Sequence, residues 1–239
     1  MKKAEIDGMV FRPRINDVID LLENQGIELN KLSALEMFGR DGTAHVTAYA
    51  EKVRTLEVWE IDKSWEDSLK NNLPNAEIKI IDSINQINNG LNLPKFDLII
   101  IDNTIPMFGP KNEPNKYCEH FDFIKNIGKI MENNAIVIFN INKQPFNYDH
   151  QLSWKKRREE FYGAMDTSNL STEFLLNFYK ELFLNLDLAT DFCDCVPRHL
   201  PHLDYFVFNL RKIRKRTEEN LKNIDWISLY PYIKRKNLL

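Results

Sequence analysis

PKFDLIIIDNTIP, from Pro94 to Pro106, is the stretch on which the reading of the whole chain turns. Its centre, Phe96 to Ile101, is a near-continuous run of apolar and β-branched residues. A strand that is half in water alternates apolar with polar side chains, whereas one covered on both faces can be apolar throughout. Cover on both faces belongs to a parallel sheet with helices on either side. The run stops at Asp102, so the strand delivers a carboxylate to its carboxyl end.

Outward from this strand the same grammar repeats. AIVIFNI, Ala135 to Ile141, reads as a second strand buried on both faces, and Ser33 to Met37, Thr55 to Trp59 and Glu77 to Ile81 read as shorter strands before it. Ile15, Val18, Ile19 and Leu22 recur at helical spacing with Gly26 as a stop. Helices are also predicted over Thr43 to Lys52, Lys63 to Leu69, Tyr117 to Met131 and Ser153 to Gly163. Past residue 170, LSTEFLLNFYKELFLNL is a long amphipathic helix, and ATDFCDCV and LDYFVFNL follow as strands joined only by PRHLPH. Strands that close together pair antiparallel. The expected fold is therefore α/β: a Rossmann-like, doubly wound, mostly parallel sheet ending in an antiparallel β-hairpin, in one domain with a core over roughly residues 15 to 210.

Composition narrows the function. Hydrophobic residues make up 43% and charged residues 28% of the 239, which suits a globular core. A net charge of −3 argues against a protein that works by neutralising many phosphates, so nucleic acid is not an expected partner. Three cysteines without framework spacing, no apolar run behind MKKAEIDGMV and no window of about 18 apolar residues lead to the expectation of a cytoplasmic protein without a membrane span.

The chemistry is expected at the strand tips. LEMFGRDGT, Leu35 to Thr43, places an acid at the end of the first strand and then two glycines spaced three apart. Glycine lets a ligand approach the backbone closely, and ligands of such sheets lie outside the carboxyl ends of the strands. The first glycine of the dinucleotide form G-x-G-x-x-G is missing, which counts against a nicotinamide enzyme. Glu36, Glu60, Asp82 and Asp102 each close one of four successive strands. A rim of carboxylates repels a phosphate-bearing cofactor and suits a cationic one. The step from Glu36 to Glu60 is close to the spacing of about 20 residues at which an acid reaches a ribose diol.

Helix, acid-ended first strand, glycine turn, acids after the second and third strands, FDLIIID at the fourth and a terminal hairpin together resemble the class I S-adenosylmethionine-dependent methyltransferases. The resemblance implies S-adenosyl-L-methionine as cofactor. It implies that Glu36, Gly39 and Gly42, with Phe38 and Thr43 in the same turn, hold the methionine part. Glu60, with Ile61 beside it, would hold the ribose hydroxyls, Asp82 and Ser83 would touch the adenine, and Asp102 would lie beside the transferring methyl. Arg40 and Asp41 depart from the small residues usual between the glycines. NTIP after Asp102 departs from the Pro-Pro-aromatic run of enzymes that methylate nucleic-acid bases.

The activity expected is in-line methyl transfer to an oxygen or nitrogen of a small-molecule or sugar-containing acceptor. Asp102 is the first candidate base and His150, past the fifth strand, the second. Residues 143 to 185 are expected to supply the acceptor site or a lid, with Lys155, Lys156, Arg157 and Arg158 either favouring an anionic acceptor or forming a solvated helical face. IIDNTIPMFGP also resembles polyamine synthases of the same fold, which keeps aminopropyl transfer open, as is a non-catalytic nucleoside-binding module. Cys193, Cys195, His199 and His202 form a C-x-C and H-x-x-H pattern, but cysteines two apart on a strand share one face and are expected to pack inward, so no metal site is expected. Trp59, Trp65, Phe121 and Phe123 are expected in the core. The basic tail from 211 to 239 is expected in solvent, and LYPY near its end would dock on its own domain or on a second subunit of a homodimer.

Overall fold

Buried on both faces as its sequence requires, Phe96–Ile101 stands at the centre of a seven-stranded sheet in the computed structural model of the protein. The structure describes residues 5–6, 9–10, 15–145, 147–163, 166–198 and 202–213. In chain order the strands are β1 (Ser33–Glu36), β2 (Thr55–Glu60), β3 (Glu77–Ile80), β4 (Phe96–Ile101), β5 (Met131–Asn142), β6 (Leu188–Pro197) and β7 (Leu203–Lys212). They lie in the order β6-β7-β5-β4-β1-β2-β3. Strands β1 to β5 are parallel, while β7 runs antiparallel between β5 and β6. This is the expected doubly wound sheet with its closing hairpin. The chain moves outward from β1 through β2 to β3 and then crosses to β4 on the other side of β1, so the switch of direction falls between β1 and β4.

Alternation along the strands builds two cores. Leu35, Trp59, Ile99, Ile101, Val137, Phe139, Phe206 and Phe208 face one layer; Ala34, Val58, Leu98, Ile100, Ile138 and Val207 face the other. The first layer is covered by α3 (Ser83–Asn89), α4 (Leu152–Tyr162) and α5 (Thr172–Asn185). The second is covered by α1 (Ile15–Asn24) and α2 (Glu66–Asn72). In α1 the buried residues are Ile15, Val18, Ile19 and Leu22, and Gly26 follows at a φ of 78°. Ser171 caps α5 by accepting from the Phe174 N–H at 3.1 Å. No helix among the described residues is long and apolar enough to cross a membrane.

Two predicted helices are not formed. Thr43 to Lys52 makes only a 3₁₀ turn, His45–Ala48, because His45 and Tyr49 are drawn onto the buried carboxylate of Glu36. Tyr117–Cys118 instead pairs with Met107–Phe108 as a small antiparallel ribbon, and the chain resumes as a 3₁₀ helix at Ile124–Lys129. There Asp122 accepts from the Cys118 N–H at 2.7 Å and Glu119 adopts a φ of 44°, local bonding that competes with a helix. Helix α3, capped by Asp82, has no counterpart in the sequence expectation.

On α4, Lys156 is exposed and Lys155 and Arg157 are partly so, as a solvated helical face would have them, whereas Arg158 is not. Arg158 is fully buried and bonds Glu119 at 2.6 Å, Arg157 pairs with Asp122, Lys155 with Asp149 at 2.9 Å and Lys156 with Glu160 at 3.8 Å. Four carboxylates thus answer the four cations. Trp59 and Phe123 are buried as expected, Phe121 nearly so, while Trp65 is half-buried; Cys193 and Cys195 pack against the first core. His199, the LYPY and KRK segments and the tail beyond residue 213 lie outside the described residues.

Candidate functional site

Because β1 and β4 are neighbours in register, with Glu36 opposite Ile100, the acid closing β1 and the acid following β4 are brought to the same point of the carboxyl edge. Both are buried: the side chains of Glu36 and Asp102 are 0% and 1% exposed. Between them stands His45. Its Nε2 is 2.8 Å from Glu36 Oε2 and its Nδ1 is 3.2 Å from Asp102 Oδ2. The Tyr49 hydroxyl donates to Glu36 Oε2, and the Phe38 N–H donates to Glu36 Oε1 at 3.0 Å. From the closing hairpin, Tyr205 donates to Asp102 Oδ2 at 2.6 Å and Arg198 Nη2 donates to the same oxygen at 3.1 Å. Asp102 Oδ1, also buried, has no hydrogen-bond partner among the described residues.

Burial alone would lower the pKa of His45, but the carboxylates of Glu36 and Asp102 and the hydrogen bond to Glu36 reverse this and lift it to about 9, against a smaller opposing effect of Arg198. Tyr49 and Tyr205 are pushed well above the usual phenol range, first by burial and next by the adjacent carboxylate.

The glycine turn is packed closely. Gly39 donates to the Trp59 carbonyl at 3.1 Å and Gly42 to the Gly39 carbonyl at 3.0 Å. Gly42 has a φ of 75° and Arg40 of 47°. A Cβ on Gly39 would stand 2.3 Å from Cγ1 of Val58, a fully buried, β-branched neighbour on β2 that cannot turn aside easily. Gly39→Ala is therefore expected to cost about 1 to 3 kcal/mol by overpacking. Equilibrium denaturation reads this directly, and an unchanged midpoint would show that the turn shifts without strain.

Glu60 holds that turn rather than standing open. Its Oε2 accepts from the Arg40 N–H at 2.7 Å and its Oε1 from the Asp62 N–H at 2.8 Å. Asp82 caps α3 through the Asn85 N–H at 2.9 Å and accepts from the Tyr117 hydroxyl at 2.7 Å. The four acids share the edge, and each already accepts hydrogen bonds, as the buried ones, Glu36, Glu60 and Asp102, require.

Of the other residues singled out from sequence, Phe38 packs edge-on against Phe108 with ring centres 5.4 Å apart. Ser83 is buried at the start of α3 and Ile61 is 40% exposed. The Thr43 N–H donates to Asp41 Oδ1 at 3.2 Å, and Arg40 lies 5.9 Å from the Trp65 ring centre. His150 is exposed at the end of the 3₁₀ turn Tyr148–His150. Asn140, near the end of β5, clamps the segment after Asp102 by donating to the Asn103 carbonyl and accepting from its N–H, both at 2.9 Å.

His45, Tyr49, Arg198, Tyr205 and Asn140 were not among the residues expected to form the site. The sequence carries a signal for one of them: Tyr205 lies near the start of a strand that pairs antiparallel with β5, which must return its first residues to the carboxyl edge.

No protein-family model and no curated protein sequence matches the chain. Solved structures do share its architecture. N-methyltransferase NodS from Bradyrhizobium japonicum WM9, in complex with S-adenosyl-L-homocysteine, superposes at a TM-score of 0.51 and 11% identity, covering 89% of this chain and 95% of that one. A putative methyltransferase, yhhF, from Escherichia coli superposes at 0.50 and 9% identity over 85% of this chain and 89% of that one. A putative hemolysin from Streptococcus thermophilus reaches 0.55 at 7% identity, over 98% and 80%. At such identities the likeness is one of fold, and the chain has the class I methyltransferase fold.

Proposed function

We propose that the chain is an S-adenosylmethionine-dependent methyltransferase acting on an oxygen or nitrogen of a small-molecule or sugar-containing acceptor. The observation that carries this reading is the pair of buried acids, Glu36 and Asp102, flanking the switch point of the sheet, one of them with an oxygen lacking any hydrogen-bond partner among the described residues. Buried polar atoms are nearly always satisfied, so an orphaned carboxylate oxygen at a strand tip fits a ligand donor.

In this reading Glu36, Phe38, Gly39, Gly42 and Thr43 hold the amino-acid portion, Glu60 and Ile61 the ribose, and Asp82 and Ser83 the base. When bound, the cofactor supplies a methyl group on a sulfonium leaving group. Alignment and exclusion of water then make up most of what the chain contributes. Tyr205 and Arg198 fix one oxygen of Asp102, which leaves Oδ1 to receive an N–H or O–H of the acceptor. Asp102 is the base where the acceptor arrives protonated. His150, exposed and on another segment, is the lesser candidate.

A second reading, a nucleoside-binding module without turnover, is favoured by Glu60, whose two oxygens each accept a backbone N–H and would have to share their remaining lone pairs with a ribose. Ligand binding without transfer to any acceptor would select it.

S-adenosylmethionine or its demethylated product at about 100 times Kd is expected to add about 2.7 kcal/mol of stability. For a chain of this size that raises Tm by roughly 5 to 10 °C in a thermal-shift assay. A shift with NAD and none with either nucleoside would overturn the assignment.

A further inference from the structure

The ring of His45 is the part of this edge that the proposed chemistry does not use. Its nitrogens face carboxylate oxygens on opposite sides, at 2.8 Å and 3.2 Å. A neutral imidazole carries one N–H and one lone pair, so one of the two contacts would set a lone pair against a carboxylate. Both contacts are attractive only when the ring is doubly protonated. The same geometry argues against a metal ion, because each ring nitrogen is already engaged by a different acid.

The groups around the ring come from every neighbouring element. Glu36 lies on β1, Tyr49 on the turn that follows, Asp102 after β4, Arg198 after β6 and Tyr205 on β7. Both tyrosines stay neutral, since burial first and the carboxylates next push them upward. With His45 and Arg198 charged against two carboxylates the cluster is neutral overall. It then offers a cationic ligand no net attraction, and becomes anionic only when His45 loses its proton.

We propose that His45 is an internal counter-cation standing between Glu36 and Asp102 in the place of a ligand's ammonium group, so that a nucleoside bearing an amino acid binds only as His45 releases its proton. This rests on the proposed function, in which Glu36 holds the amino-acid portion. The release follows as the ring gives up that place and swings into solvent, where the ordinary value near 6.5 leaves it mostly neutral at pH 7.5.

Isothermal titration of the full chain in buffers of different ionisation enthalpy counts the protons. S-adenosylhomocysteine, which carries the ammonium group, is expected to release about one proton per molecule bound at pH 7.5. Because only the neutral fraction of His45 is competent and its pKa is about 9, affinity is expected to rise by up to about tenfold between pH 7 and 8, and to turn over at higher pH as the ligand's own ammonium loses its proton. Methylthioadenosine, the same nucleoside without the amino-acid portion, is expected to bind with no proton released. In His45→Gln the rise between pH 7 and 8 is expected to vanish. Should that variant not fold, the proton count on the natural chain still decides.

Binding of S-adenosylhomocysteine with flat affinity and no proton release would overturn the role of His45 while leaving the proposed function standing. Failure of every nucleoside to bind, at any pH, would remove the proposed function and this inference with it. A third readout needs no ligand: the His45 ring followed by NMR is expected to stay protonated up to about pH 9, and titration near the ordinary value of about 6.5 would overturn the inference by itself.

Discussion

Arg158→Ala is expected to lower the free energy of unfolding by about 3 to 5 kcal/mol, a large part of the stability of an ordinary domain. Arg158 is fully buried on α4, with Nη1 2.6 Å from Glu119 Oε1 and Nη2 2.8 Å from the Asn142 carbonyl at the end of β5. Glu119 is itself buried and has one other side-chain donor, Trp154 Nε1 at 2.7 Å. Deleting the guanidinium strands a carboxylate in an apolar layer, which costs more than the pair contributes net. The double variant Glu119→Gln with Arg158→Met removes both charges and is expected to recover much of the loss. Urea denaturation of both variants checks this. A single variant as stable as the natural chain would mean that the pair is not a buried one.

Asp102→Asn is expected to lower methyl transfer at saturating cofactor by about 100- to 10,000-fold if the carboxylate acts as the base. The amide keeps the size of the side chain and can still accept from Tyr205, but it no longer accepts a proton. Formation of S-adenosylhomocysteine against a panel of amine and hydroxyl acceptors, followed by mass spectrometry, measures the turnover. Natural rates in the variant would limit Asp102 to positioning. A loss confined to binding would place its effect on His45 instead.

How much of this was legible in the sequence depends on the range of the interactions involved. FDLIII and AIVIFNI announced buried parallel strands because burial on both faces writes itself into a short window. Glu36 and Asp102 could be placed at the strand tips because an acid at a strand end needs only the strand to be recognised. The segment after Gly42 was misread because its shape follows from contacts to a buried carboxylate that no local pattern encodes. Tyr117 to Met131 failed for a similar reason: helical spacing is present, but Asp122 bonds its own backbone and the Tyr117–Cys118 ribbon pairs instead. The bonds that each acid accepts were not legible, because spacing shows where an acid sits, not which N–H groups reach it.

The closing hairpin has a consequence for how the protein comes to be. The bond from Tyr205 to Asp102 spans 103 residues of sequence and that from Arg198 spans 96. Contacts so far apart wait on a costly loop closure and form late in folding. On the ribosome the first five strands emerge with Asp102 still lacking two of its donors, which arrive only as the last pair of strands docks.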